Sequence, residues 1–279
     1  MTFVYLRSNK DVPKRYGPTL IAIADGQAGI GENTKINNAQ KLTQNKGIIS
    51  LGAGQGSSIN EQNERIRELN GKVNNEYIIN EFFPNICKFH YDAFDLPNLL
   101  DPNVDPNKFD NNMKKKIVES STTTFIAFKE GEGYNIFKLN LVNGYDHNQN
   151  AFIQGPNCSL FQKDGTLADG SGMETVGKYY DLFNLNGPIP EFINPQDLDK
   201  RVETYGMVLD SIGIAYLAAK EKHVNEYFQI GILNNNGYNS IVHRNVSFNN
   251  DEEALNHLNS TLSMYIPKDD INSIGDILE

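Results

Sequence analysis

Thr19-Leu20-Ile21-Ala22-Ile23-Ala24-Asp25-Gly26-Gln27-Ala28-Gly29-Ile30-Gly31 opens with an almost wholly apolar run that stops at an acidic turn. A short continuous apolar run bounded by turn residues predicts a strand over 19–24, covered on both faces. Lys41 follows Asp25 by sixteen positions, and Met1-Thr2 lies one strand and one turn upstream. Thr, Asp and Lys in that order, on three successive strands, suit an N-terminal threonine nucleophile.

Working outward, Phe3 to Arg7 reads as a short apolar strand, and Ser8 to Pro18 as an extended hairpin loop. Downstream, 33–42 and 47–54 read as a further strand pair. Gly52-Ala53-Gly54-Gln55-Gly56 forms a tight turn before a helix. Ser57 or Ser58 is the expected cap of that helix, with Glu61 in its first turn. Ile59, Ile66, Leu69 and Val73 supply its apolar stripe. The stretch 84–116 contains Pro97, Pro102 and Pro106 and reads as a helix end, a surface excursion and a short helix.

Thr122 to Phe128 and Tyr134 to Val142 are expected strands around Glu130-Gly131-Glu132-Gly133. Ala151 to Ile153 and Leu160 to Leu167 read as two more. Gly170-Ser171-Gly172 breaks into a helix running to about 183. The strongest helical periodicity lies in 195–223, where Val202, Tyr205, Val208, Leu209, Ile212 and Tyr216 recur at three- and four-residue spacing. Phe228 to Leu233 and Tyr238 to Val246 form a hairpin around Asn234-Asn235-Asn236-Gly237, and 251–262 reads as a terminal helix. Hairpin strands alternating with paired helices predict an α+β fold of antiparallel sheets covered by helices, not a doubly wound parallel sheet. No repeat or linker divides the chain, so one domain over 1–279 is expected.

Composition narrows the partners. The 279 residues carry a net charge of −10, and the longest basic run is Lys114-Lys115-Lys116, which reads as a solvated face. General nucleic-acid binding, which needs a basic footprint, is excluded. The two cysteines, Cys87 and Cys158, lack metal-ligand spacing and read as buried thiols of a reduced, cytoplasmic protein. No apolar run approaches a membrane span, and no secretory signal opens the chain. His90, His147, His223, His243 and His257 show no metal motif, and no GxSxG elbow marks a Ser-His-Asp triad. These histidines read as surface or satisfied residues. No metal or organic cofactor is expected.

Asp25-Gly26-Gln27-Ala28 with Gly31, Asn33-Thr34 and Lys41 resembles the second-strand motif of the HslV protease and proteasome β-subunit family. Gly52-Ala53-Gly54 resembles the family's oxyanion-binding glycine turn, and Gly170-Ser171-Gly172 its Gly-Ser-Gly before the third helix. The passage from the long helix ending near Glu221 into the Phe228 strand is similar too. The chain is longer than the bacterial protease, chiefly through an insertion around 84–120. The resemblance implies a four-layer αββα sandwich of two antiparallel sheets, the N-terminal-nucleophile hydrolase fold.

It further implies a threonine peptidase or amidohydrolase. Thr2, exposed by removal of Met1, would be the nucleophile and its own α-amine the base. Lys41 would supply positive charge, Asp25 would orient Lys41, and the Gly54 amide would stabilise the oxyanion. Ser171 would bond the amino terminus or relay a proton, and Glu221 would take the place of the acidic residue at the end of the long helix. Relatives form homo-oligomeric rings, act on peptide or protein substrates and work with ATP-dependent unfoldases. The same fold also serves non-catalytic ring or scaffold subunits and peptide ligases or transferases, and a small-ligand binding module stands outside the family. Taken singly, Thr2 starts a strand, Asp25 ends one, Lys41 is a surface lysine, and the glycines serve tight turns or a helix cap.

Overall fold

The computed structural model describes residues 3–9, 19–30, 34–36, 38–45, 47–69, 73–96, 108–131, 133–142, 145–146, 151–152, 156–162, 165–170, 224, 227–234, 237–245, 250 and 253. The described chain is α+β, with two five-stranded antiparallel sheets, two short ribbons and a few helices. It divides into two compact units, one formed by 1–39 with 165–279, the other by 40–164.

The first unit is built on β1 (Phe3–Asn9) and β2 (Thr19–Asp25). They pair antiparallel from Val4 opposite Ala24 to Asn9 opposite Thr19. Ser8 and Asn9 thus belong to the strand, not to the expected loop. Leu20 through Ala24 are fully buried, as a central strand of five apolar residues requires. β3 (Ala28–Ile30) and β4 (Thr34–Ile36) form a separate ribbon.

The second unit begins with β5 (Leu42–Asn45) and β6 (Ile48–Ala53). These two strands pair with each other across a turn at Gly47, whose φ is 87°. The partner of 47–54 is therefore 42–45, not 33–42. The expectation failed because Thr34 to Ile36 finds a nearer mate in β3. Helix α1 (Gly56–Glu68) follows. Its N-cap is Gln55 and no side chain caps it, because Ser58 is drawn into the interior instead. Nor is Glu61 in the first turn; it pairs with Arg65 one turn on, at 2.7 Å. Ile59 and Ile66 form the buried stripe, while Leu69 and Val73, beyond the helix end, flank the core.

A second helical run comprises α2 (Asn75–Tyr77), a π turn (Ile78–Phe82) and α3 (Phe83–Ala93). Asn74 caps it, accepting from the Tyr77 amide at 2.8 Å. As the sequence led one to expect, 84–116 begins with the end of a helix, which runs to Ala93, and closes with a short one. The π turn widens the backbone just before Pro84, which lacks the N–H that an α turn would use. α4 (Asn111–Glu119) is capped by Asp110, which accepts from the Met113 amide at 2.8 Å. Its Lys115 and Lys116 lie against Glu119 and Asp95 on the solvent side.

β7 (Thr122–Glu130) and β8 (Gly133–Val142) turn at Gly131, with φ 61°. β9 (Tyr145–Asp146) and β10 (Ala151–Phe152) make the other ribbon. β11 (Asn157–Gln162) completes the second sheet in the order β11-β8-β7-β6-β5. One face carries Ile48, Ile126, Phe128, Phe137 and Leu139 against Ile66, Phe82, Ile86 and Tyr91 of the helices. Each such fully buried side chain contributes about 1.5–3 kcal/mol.

β12 (Gly165–Gly170) returns the chain to the first unit, so 160–167 is not one strand but the end of one and the start of another in different sheets. β13 (Tyr227–Asn234) and β14 (Gly237–Asn245) form the expected hairpin and complete the order β12-β1-β2-β13-β14. The helices expected over 171–183, 195–223 and most of 251–262 lie outside the described residues.

Candidate functional site

Asp25 ends β2 and is fully buried. A carboxylate without water needs donors aimed at it. Its Oδ1 accepts from the Phe3 amide at 2.8 Å, and its Oδ2 from the Gln27 amide at 3.0 Å. The second bond closes an Asx turn, which is why Asp serves at this strand end. The first bond grips the chain at the residue after Thr2.

Neighbouring bonds fix the turn. The Gly26 amide donates to the Tyr227 carbonyl at 2.7 Å, and the Ala39 amide donates to the Gly26 carbonyl at 2.8 Å. Gln229, buried on β13, donates from Nε2 to the Ala39 carbonyl at 2.6 Å. Gln229 was not among the expected site residues. It lies in an apolar strand near the far end of the chain, and its polarity within that strand was the available signal.

Register brings a third segment to the same end of this sheet. Phe3 lies opposite Gly170 of β12, and Asp25 lies opposite Phe228 of β13. Gly170, with φ 100°, immediately precedes Ser171. The described neighbours of Thr2 and Ser171 are therefore paired with each other, with Asp25 bonded to one of them. Thr2, Ser171 and Glu221 themselves lie outside the described residues.

Lys41 and Gly54 belong to the second unit. Lys41 is only 3 % exposed, so the surface-lysine reading does not hold. Its carbonyl accepts from the Gly52 amide at 3.0 Å, which continues the β5–β6 ladder. Gly52 is required by close approach: a Cβ there would sit 2.7 Å from Ile59 Cγ1 of α1. Gly54 has φ 120°, and a Cβ on it would collide with the Ser121 carbonyl and approach Thr122 Cα at 2.7 Å. Both glycines thus have stereochemical reasons to be glycine.

The second unit also holds polar groups that no motif announced. Ser58 Oγ and His90 Nδ1 share a hydrogen bond of 2.6 Å, and Gln62 donates to Ser50, all four side chains being fully buried. Burial lowers the His90 pKa to about 4, against a smaller opposite effect of the Ser120 carbonyl. His90 is thus a neutral interior histidine. Cys87 and Cys158 are free thiols; burial raises the first to about 12 and the second to about 11. Neither is a nucleophile near neutrality.

Among the described residues, no group of three or more His, Cys, Asp or Glu could hold a metal ion, and no helix is long and apolar enough to cross a membrane. No family model and no curated protein matches the chain.

Proposed function

We propose that the chain is a threonine-type peptidase or amidohydrolase of the N-terminal-nucleophile class. The observation that carries this reading is the end of the first sheet, where the Asp25 carboxylate grips the Phe3 amide and Phe3 pairs with Gly170. The flanks of Thr2 and Ser171 are held there together with the acidic member of the motif. The proposal includes a single αββα domain over 1–279 and assembly into homo-oligomeric rings in the cytoplasm, served by an ATP-dependent unfoldase.

The chemistry then runs through Thr2 once Met1 is removed. A free α-amine has a pKa of about 7.7–8.0, so a useful fraction is neutral near pH 7 and can take the hydroxyl proton. Thr2 Oγ bonds to the substrate carbonyl carbon, and the amine passes the proton to the departing nitrogen as the C–N bond breaks. Water hydrolyses the resulting ester and restores the hydroxyl. In this reading Lys41 supplies the positive charge that keeps the amine neutral, and Asp25 holds the strand behind the nucleophile. The Gly54 amide stabilises the oxyanion, Ser171 bonds the amine, and Glu221 takes the remaining acidic position.

A second reading is a non-catalytic subunit of the same fold, acting as a gate, scaffold or docking surface. It is favoured by the commitment of both Asp25 oxygens to backbone amides, which is what a purely structural clamp requires.

Turnover of N-blocked fluorogenic peptide amides by the purified full chain separates the two. Hydrolysis that is lost in Thr2→Ala and kept in part by Thr2→Ser is the expected result. Turnover unchanged in Thr2→Ala overturns the proposal, and no turnover from chain lacking Met1 favours the scaffold.

A further inference from the structure

Residues 39–41 belong to no helix or strand, yet each of their carbonyls is held. The Ala39 carbonyl accepts from Gln229 Nε2 at 2.6 Å, and the Gln40 carbonyl from Asn63 Nδ2 at 3.1 Å. The Lys41 carbonyl accepts from the Gly52 amide at 3.0 Å. The Ala39 amide is tied as well, donating to the Gly26 carbonyl at 2.8 Å. Connecting segments ordinarily run over the surface, where water meets such groups. Here two of the carbonyls are met by side chains of β13 and α1, 190 and 23 positions away in the chain.

Both carboxamides are interior groups, Gln229 fully buried and Asn63 nearly so. Burying an amide is unfavourable unless it is bonded, and an apolar side chain would fill either place without that cost. Gln229 stands in a strand between Phe228 and Ile230, both buried. Asn63 Oδ1 has no hydrogen-bond partner among the described residues, which leaves the bond to Gln40 as what this buried amide gains. Gln229 acts on Ala39, where the N-terminal segment of the first unit ends, and Asn63 on Gln40, where the second unit begins.

The residue that follows this clamp is Lys41, itself buried. A lysine carries its charge at the end of a flexible four-carbon stem, so the place of the charge depends on where the backbone starts the stem. We propose that Gln229 and Asn63 are positioning residues that fix the backbone from which Lys41 serves the nucleophile. Their role rests on the peptidase reading above and adds two residues to it. In that reading the Lys41 charge keeps the Thr2 amine neutral. A Lys41 backbone released at Ala39 or Gln40 carries the charge away, and the amine then holds its proton to higher pH.

The test is the pH profile of kcat/KM for an N-blocked fluorogenic peptide amide, whose acid limb reports the free enzyme's base. It compares the full chain lacking Met1 with its Gln229→Met and Asn63→Leu variants. Gln62→Leu serves as reference, since it strands Ser50 on the same sheet and leaves the 39–41 carbonyls bonded. Each anchor variant is expected to lower kcat by up to about a hundredfold with KM unchanged. Each should also move the acid limb upward, toward the free-amine value of about 7.7–8.0. Gln62→Leu should leave the limb in place. Amide hydrogen exchange should show 39–41 exchanging faster in the anchor variants while β6 and β7 keep their protection. The two substitutions lie on different elements, so if one variant misfolds the other decides. An active wild type whose acid limb stays in place in a folded anchor variant overturns the proposal, as does unchanged exchange at 39–41. A wild type without turnover removes the peptidase reading itself, and this role with it.

Discussion

Two buried polar sites, one in each sheet, are met in opposite ways. At the end of the first sheet, Asp25 places a full charge in the interior and meets it with two backbone amides. Beneath α1 in the second, the bonded side chains Ser50, Ser58, Gln62 and His90 are buried with Asn63 and Thr124, yet Gln62 Oε1, Asn63 Oδ1, His90 Nε2 and Thr124 Oγ1 lack a hydrogen-bond partner among the described residues. A satisfied carboxylate locks a chain in one place, whereas half-satisfied neutral groups leave a seam that solvent conditions can shift. The difference assigns rigidity to the segment after Thr2 and adjustability to the polar groups beneath α1.

The contrast breaks most visibly at Asp25. Asp25→Ala strands the Phe3 and Gln27 amides and should cost about 4 kcal/mol, since hydrogen bonds to a charged group are the strong ones. Asp25→Asn keeps one acceptor and should cost about half as much. Urea unfolding curves measure both, and a cost near zero for Asp25→Ala would remove the clamp from the account.

Acid probes the seam. His90 is neutral in the folded chain down to about pH 4, against an ordinary value of 6.5. Between those values the unfolded chain binds the extra proton, so stability falls as pH drops. Its contribution is complete above about pH 6.5, falls through the window and levels off near pH 4, a loss of about 3 kcal/mol. Comparing unfolding midpoints of the wild type and His90→Gln from pH 7 to pH 4.5 isolates this slope, which should flatten in the variant.

The smallest effect belongs to the Gln62–Ser50 bond. Gln62→Leu alone strands Ser50 and should cost about 1–2 kcal/mol, whereas Gln62→Leu with Ser50→Ala removes both partners and should fall within about 1 kcal/mol of the wild type. A double variant as unstable as the sum of its singles would show that the bond is not the coupled unit described.

The same contrast explains what the sequence disclosed. β2 and the β13–β14 hairpin were legible because an unbroken apolar run, and two strand-like runs around Asn234-Asn235-Asn236-Gly237, depend only on neighbours. Asp25 was legible as an acidic stop to such a run. The seam was not, because Ser58 and His90 are 32 positions apart and each reads locally as a helix residue. Short hydroxyls favour the cap position, which points to Ser57 or Ser58, but neither caps the helix and Ser58 bonds His90 of another helix instead. The strand expected at 33–42 failed for a related reason: pairing partners are chosen by the whole chain, and Thr34 to Ile36 closed on Ala28 to Ile30. The span 160–167 failed because its residues are shared between two strands of different sheets, one ending at Gln162 and the other beginning at Gly165.

The claim that Thr2 is the nucleophile is tested most directly by intact mass. The full chain, treated with a threonine-directed epoxyketone or β-lactone, is measured before and after exposure. The account predicts a species lacking Met1 that gains one probe mass, mapped to Thr2 and absent from Thr2→Ala. A native chain that retains Met1 throughout, or an adduct undiminished in Thr2→Ala, would contradict it.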